Sequence, residues 1–505
     1  MPIVKAIVSW IINKRSHQID LFKRYPVEVQ EETLTNLIIS AKNTEWGNIY
    51  DYKTIKSVSD FQDRIPIQDY ESLKSYIHRA RQGEKSVLWP GETKWFAMSS
   101  GTTSDKSKFI PVSKEVLEEC HFKGGKDSLA IYVNNNPETK VLNGKGLVIG
   151  GSHQVANFNN DSFFGDISAV MIRNLPFWVH FIRTPDLAIA LMDEWEEKID
   201  KMAHATIKDK VTNISGVPSW TIVLLKRILE ITGAANICEI WPDLELFIHG
   251  GVSFIPYKEQ FKKFLPDPNI KYVEVYNASE GFFAIQDDPH TNDMLLMLDY
   301  GVFYEFIPLD KINEESPKTY TIDEISTGVN YAMVISTCSG LWRYMIGDTI
   351  QFTSKYPFKI KITGRTRQYI NTFGEELIVE NAEVAIKKAS IETCAQIREY
   401  SAAPVFIETE KQGAHQWLIE FAKEPDDLEH FTEILDNTLK SLNSDYEAKR
   451  YKNINLIMPE IVKIREGVFY QWLKNHGKLG GQHKVPRLSN NRDFVDEIIE
   501  LNKKT

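Results

Sequence analysis

The chain has 505 residues, 42% of them apolar and 25% charged, with a net charge of −10. At roughly 100–200 residues per domain, that is enough for two to four domains or subdomains of an ordinary soluble globular protein. The acidic balance argues against a nucleic-acid surface as the main business, but not against small anions held by loops and helix ends.

Cys120, Cys238, Cys338 and Cys394 are far apart and form no C-x-x-C pair. They read as buried thiols of a reducing compartment rather than as a zinc site or a disulfide framework. At the N-terminus the apolar run Ile7–Ile12 lies between Lys5 and Lys14-Arg15. It is too short to span a bilayer and lacks a small-residue cleavage site, so it is expected as an amphipathic helix packed on the protein. No later stretch approaches 18 uninterrupted apolar residues. The expectation is a cytoplasmic protein with neither membrane nor nucleic acid as partner.

Along the chain, Leu34, Leu37, Ile38 and Ala41 fall on one helical face. A second helix starts at Asp69-Tyr70-Glu71-Ser72-Leu73 and ends near Gly83. Gly146–Gly151 brackets a short buried strand. Residues 186–231 read as mostly helical, with a break at Gly216-Val217-Pro218. Strands are expected at 244–248, 272–276, 294–298, 302–306, 331–336 and 349–353. After Gly364-Arg365 the style changes to helices at 379–388 and 428–442 alternating with strands such as 417–421. The predicted fold is α/β: a large N-terminal domain, 1–366, of α/β subdomains plus a β-rich unit, then a smaller α+β domain, 367–505.

Six segments carry chemistry. The first runs from Phe96 to Pro111. An apolar stretch feeds Ser99, Ser100, Gly101, Thr102, Thr103 and Ser104, followed by Lys106 and Lys108. Small residues let backbone N–H groups approach phosphate oxygens, and either lysine could add positive charge; the Walker A pattern is absent. The second is Leu246–Phe254, where a buried strand runs into Gly250, Gly251 and Val252 and brings bare backbone to a sheet edge. In the third, Tyr276, Asn277, Ala278 and Ser279 lead to Glu280, an oxygen ligand suited to Mg²⁺. The fourth, Gly340–Asp348, places Asp348 after a glycine at the start of a strand, where a carboxylate can accept from a ribose diol. The fifth, Ile362–Glu376, holds Arg365 at the change of style. The last, Gly480–Arg487, presents Lys484.

In this order the segments resemble the adenylate-forming superfamily of acyl-CoA synthetases, luciferases and peptide-synthetase adenylation domains. Lys108-Phe109-Ile110-Pro111, Ser279-Glu280-Gly281, Gln482–Arg487 and the early Asn43-Thr44-Glu45-Trp46-Gly47 look like one branch, the auxin-responsive acyl-acid amido synthetases. The resemblance runs from about residue 30 to 490. Ser104 and Ser107 stand where relatives often carry glycine, which leaves open which lysine meets the phosphates.

The resemblance implies a ligase that uses ATP and Mg²⁺ to convert a small-molecule carboxylic acid to an acyl-adenylate, and then transfers the acyl group to an amino acid. It implies that Ser99–Thr103 and Lys108 hold phosphates, and that Gly250, Gly251, Val252 and Tyr276–Ser279 surround the nucleotide. Glu280 would hold Mg²⁺, Asp348 would hold ribose, Arg365 would mark the hinge of a mobile C-terminal domain, and Lys484 would bridge carboxylate and α-phosphate. The nucleophile belongs to the substrates, and G-x-S-x-G and H-E-x-x-H are absent. The rival readings are an acyl-CoA ligase sharing the first half-reaction, and a non-catalytic nucleotide- or acyl-binding protein. The acid pocket is expected within 120–220, where Phe158, Phe163, Phe164, Met171 and Trp220 occur. The sequence leaves the oligomeric state open, with a monomer as the default.

Overall fold

The computed structural model describes residues 14–100, 107–150, 156–159, 162–192, 194–252, 254, 257–312, 314–366, 369–406, 412–453, 456–476 and 485–503. The apolar run Ile7–Ile12 lies outside the described residues. Among the described residues no helix is long and apolar enough to cross a membrane. The backbone divides into two units: Met1–Met98, Phe109–Gly251 and Lys262–Thr366 form the first, and Ser99–Lys108, Val252–Phe261 and Arg367–Thr505 the second.

The first unit is organised by one mixed sheet of eleven strands. On one side are the parallel strands Arg183–Thr184, Lys145–Val148, Val211–Ser215, Leu246–Gly250 and Lys271–Ala278. The chain then doubles back through Gly281–Ile285. Met294–Leu296, Phe358–Arg365, Tyr344–Lys355, Asn330–Thr337 and Val302–Pro308 extend the same sheet antiparallel. The β-rich region therefore continues the α/β sheet edge to edge. Leu246–Gly250, Gly281–Ile285 and Val302–Pro308 are buried at every position, as strands covered on both faces must be.

Val211–Ser215 corrects the expectation of a mostly helical 186–231. Its first four residues are buried, and it lies between Lys145–Val148 and Leu246–Gly250. Val-Thr-Asn-Ile-Ser has neither an apolar run nor alternation, so burial on both faces left no periodic signal. The flanking helices Trp195–Thr206 and Pro218–Thr232 are present. Proline at the first position of the latter sacrifices only an N–H that would have no partner.

Helix Pro26–Ala41 buries Leu34, Leu37, Ile38 and Ala41. Its buried Gln30 donates to the carbonyls of Leu298 and Val302 and accepts from the Tyr304 N–H, so a polar side chain fixes the helix to the sheet at no hydrogen-bonding loss. Helix Tyr70–Arg81 begins at a reciprocal cap between Asp69 and Ser72. Arg343 is buried with φ +43°. Its Nε and Nη2 donate to Glu305 at 3.0 Å each, Nη2 to Thr319 Oγ1 at 2.7 Å, and Nη1 to the Gln62 carbonyl at 2.6 Å. This guanidinium ties the residue before strand Tyr344–Lys355 to strand Val302–Pro308 and to helix Val58–Arg64.

The second unit holds the three-stranded sheet Gln396–Val405, Ala414–Lys423 and Glu460–Ile464. Helices Val379–Glu392 and Leu428–Leu442 pack on each other, and Val468, Phe469, Trp472, Val485, Val495 and Ile498 share a core with Leu418. The cysteines are free thiols, but only Cys120 and Cys338 are buried; Cys394 is exposed and Cys238 partly so. Cys394 has φ +54° after helix Val379–Glu392, a turn position that composition could not reveal.

Breaking a buried ion pair by removing one partner costs about 3–5 kcal/mol. Arg343→Met is expected to lower stability by about that amount, read as a fall in the urea midpoint by tryptophan fluorescence. Arg343→Met with Glu305→Gln should recover part of the loss, and an unchanged midpoint in the single variant would refute the role given to the pair.

Candidate active site

Gly250 ends its strand directly opposite Val275. A Cβ there would lie 2.5 Å from the Val275 carbonyl oxygen and 2.9 Å from Asn277 Oδ1, so only glycine fits and the backbone edge stays bare. Gly251 follows with φ +82°, in the left-handed region that glycine adopts at no steric cost, and is exposed. His249 is 3% exposed, and burial pushes its imidazole pKa down to about 3.

Strand Lys271–Ala278 turns through Ser279 and Glu280 into Gly281–Ile285, a two-residue hairpin with Ala278 opposite Gly281. Glu280 is 8% exposed at the turn. Tyr276, two pleats earlier, is buried, and its hydroxyl donates to Asp348 Oδ2 at 2.6 Å. Burial first, then Asp348 and Glu280, hold the Tyr276 phenol well above its ordinary range. Tyr344 is likewise raised by burial and then Glu280.

Asp348 lies inside Tyr344–Lys355, not at the start of a strand as expected, because Tyr344 and Met345 pair with Asn330–Thr337 ahead of it, while Phe358–Arg365 pairs from Asp348 onward. Gly347 has φ +95° and the register shifts just beyond Thr349, an irregularity that re-aims side chains. Arg365, directly opposite, donates from Nε to Asp348 Oδ1 at 2.9 Å. Each Asp348 oxygen thus accepts one bond within the protein. A carboxylate has about four acceptor positions, so one remains on each oxygen, which suits two adjacent hydroxyls. Tyr276, Asp348 and Arg365, named separately from the sequence, form one hydrogen-bonded group in the first unit.

In the second unit Ser99 and Ser100 end strand Trp95–Ser100, Lys108 is half-buried in Ser107–Val112, and Val252 is buried. Gly101, Thr102, Thr103 and Lys484 lie outside the described residues. The stretch after Lys484 is fixed: the Ala402 N–H donates to the Arg487 carbonyl at 2.9 Å, the Ser489 N–H to the Ala402 carbonyl at 3.0 Å, and the Arg487 guanidinium lies 4.6 Å over the Tyr400 ring. Beyond Arg365, the turn at 371–376 is also pinned. The Tyr257 hydroxyl donates to the Thr372 carbonyl at 2.6 Å, and buried His415 and Glu375 meet at 2.8 Å.

Family models match three stretches: the GH3 family N-terminal domain over residues 15–270, the central domain over 295–365 and the C-terminal domain over 380–493. The chain belongs to the GH3 family. An indole-3-acetic acid-amido synthetase of Arabidopsis thaliana is 21% identical, over 91% of this chain and 89% of its own. A jasmonoyl–L-amino acid synthetase of Nicotiana attenuata is 25% identical, over 64% of this chain and 66% of its own. A solved GH3.15 acyl acid amido synthetase shares the fold, with a TM-score of 0.60 at 16% identity over 96% of this chain and 95% of that one.

Within this GH3 fold the aromatic residues expected around an acid pocket pack against other side chains. Phe163 stacks on Trp95 with centroids 4.8 Å apart, Phe164 meets Phe109 edge-on at 5.4 Å, and Met171 packs on the main core; Trp220 is buried, and the Phe158 side chain lies outside the described residues. The sequence reading passed over His121, which is buried in one π-helical turn, Leu117–His121. A lone histidine among glutamates, lysines and glycines gives no signal of its own.

A His249 that stays neutral in the folded protein takes up its proton near pH 6.5 only on unfolding. Its contribution is full above about pH 6.5 and is lost as pH falls toward about 3, at up to about 1.4 kcal/mol per pH unit. His249→Leu should flatten the dependence of urea stability on pH between 6 and 4; an unchanged slope would contradict a buried neutral imidazole.

Proposed function

We propose that this chain is an ATP-dependent ligase that adenylates a carboxylic acid, releasing pyrophosphate, and transfers the acyl group to the amine of an amino acid to form an amide. The observation that carries the reading is the Asp348 carboxylate, held by Tyr276 and Arg365 with one acceptor position left on each oxygen, inside a chain of the GH3 family.

Asp348 would accept from the two ribose hydroxyls, and its two protein donors fix the carboxylate's direction before ATP arrives. Such preorganisation lowers the cost of ordering on binding. Gly250, packed against Val275 with no room for a Cβ, and the exposed Gly251 are assigned to the flank of adenine. Glu280, at a hairpin tip, is the residue to hold Mg²⁺, whose preference for oxygen ligands suits one carboxylate together with phosphates; when bound, the ion supplies charge neutralisation. Ser99–Thr103 and Lys108 are assigned to the phosphates, and Lys484 to the attacking carboxylate and the α-phosphate.

In the first half-reaction a carboxylate oxygen of the acid attacks the α-phosphorus and pyrophosphate departs. In the second, the neutral amine attacks the acyl carbon and AMP departs with the former carboxylate oxygen. No side-chain nucleophile is needed, so the protein's contribution is positioning and electrostatic stabilisation. Residues 367–505 are proposed to move about Arg365–Thr372 between the steps, with the anchored stretch after Lys484 travelling as part of that domain. The substrates are small molecules: one acid and one amino acid.

Acid-dependent exchange of labelled pyrophosphate into ATP is the expected activity of the wild type. Lys484→Ala is expected to reduce it by about 10²–10³-fold, the effect of losing one preorganised donor. Asp348→Asn should raise the KM for ATP more than it lowers kcat. Absence of exchange across a broad acid panel, or full exchange in Lys484→Ala, would contradict the assignment. Product mass with amino acids or coenzyme A supplied separates an amide from a thioester.

A further inference from the structure

Exposed apolar side chains gather at one place on the first unit. Phe177 is 77% exposed and Phe181 67%, and Trp178, Ile182 and Leu187 of the same stretch are exposed as well. No residue of the 3₁₀ turn Phe177–Phe181 is buried. Elsewhere among the described residues no two exposed large apolar side chains are neighbours in sequence. Single exposed apolar residues are ordinary on a protein surface, whereas a contiguous group marks a surface that something covers.

The fold holds this group outward. Arg183–Thr184 is the last strand of the eleven-stranded sheet and pairs only with Lys145–Val148. The Gly146 N–H donates to the Ile182 carbonyl at 2.9 Å, and the Ile182 N–H to the Val179 carbonyl at 3.1 Å. The backbone of the turn is thus pinned to the sheet edge while its apolar side chains face solvent. The Phe177 and Phe181 rings meet edge-on with centroids 5.2 Å apart, so the two ends of the turn make one apolar surface.

The charge here is positive, in a chain of net charge −10. Residues 167–185 contain Arg173, His180 and Arg183 and no Asp or Glu. Arg173 is exposed. Arg183 is buried; its Nε donates to His180 Nδ1 at 3.2 Å, while Nη1 and Nη2 have no hydrogen-bond partner among the described residues. A guanidinium stays charged in a protein, so this one adds a positive charge that no contacting carboxylate cancels. Asp186, the next acid along the chain, is exposed, accepts from the Ile189 N–H at 3.0 Å and acts on Arg183 only through space.

We propose that the surface formed by Phe177, Trp178, Phe181, Ile182 and Leu187 docks the protein on an anionic lipid surface, with the aromatic rings at the boundary between headgroups and acyl chains. Trp and Phe beside basic residues suit that boundary, and anionic headgroups complement the charge of Arg173 and Arg183. A second copy of the chain fits less well, because a two-fold contact brings the same patch, and therefore like charges, against itself. Peripheral docking needs no membrane-crossing helix. It departs from the expectation of a chain without a membrane partner, and it stands independently of the ligase reading.

Full-length wild type is expected to co-sediment with phosphatidylglycerol vesicles and far less with phosphatidylcholine vesicles, and added salt should release it. Phe177→Ala, Trp178→Ala and Phe181→Ala combined should weaken the binding by about 10-fold or more. The melting temperature of that variant should match wild type, since the replaced side chains are exposed. Arg173→Glu should lessen the preference for phosphatidylglycerol. Phosphatidylglycerol brominated in its acyl chains should quench the wild type's tryptophan fluorescence; Trp178→Phe should still bind but lose most of the quenching. Wild type that ignores phosphatidylglycerol vesicles, binding that the triple variant retains, or quenching that survives in Trp178→Phe would overturn the proposal. Self-association that the triple variant loses, without vesicle binding, would overturn it too and give the surface to a second copy of the chain.

Discussion

The Asp348 carboxylate, gripped by the Tyr276 hydroxyl and the Arg365 guanidinium, is the interaction on which the rest of the first unit's site depends. It joins the paired strands that carry Asp348 and Arg365 to Lys271–Ala278, which carries Tyr276 and neighbours neither of them in the sheet. Each partner constrains the others. Burial first, and then the carboxylate, hold the Tyr276 phenol well above its ordinary range, and the two donors leave the carboxylate with one free position per oxygen. A single rigid acceptor pair is what the ribose role proposed for Asp348 requires.

The continuity of the sheet makes this geometry possible. Five parallel strands and an antiparallel extension share one set of ladders, so the Gly250 edge, the Glu280 hairpin and the Asp348 strand are held by backbone hydrogen bonds rather than by loops. Short-range devices set the details: a glycine that no other residue could replace beside Val275, and a left-handed Gly347 at the register shift. The Arg343–Glu305 pair holds the start of the Asp348 strand against Val302–Pro308, while the Arg343 N–H donates to Ser336 Oγ and its Nη1 to the Gln62 carbonyl in helix Val58–Arg64.

The sequence announced elements wherever periodicity or punctuation was strong. Helix Leu428–Leu442 and the Asp69 cap were legible because apolar spacing and capping residues are local signals. The Gly-Gly and Ser-Glu-Gly segments were legible as strand ends, since apolar or alternating runs stop there at glycines and small polar residues. Val211–Ser215 was not, because a short strand covered on both faces need not alternate. The strand-internal place of Asp348 depended on Tyr344 and Met345 pairing with Ile335 and Val334, which local residue types do not encode.

Acid activation through an adenylate makes one chemical commitment that an ADP-forming ligase does not share: the carboxylate oxygen that attacks phosphorus leaves with AMP. The decisive measurement is a full turnover with an acid labelled with ¹⁸O in both carboxylate oxygens, ATP and an amino acid, followed by mass analysis of the nucleotide and phosphate products. The account predicts AMP carrying one ¹⁸O and unlabelled pyrophosphate. Label in inorganic phosphate with ADP as the nucleotide product would contradict it.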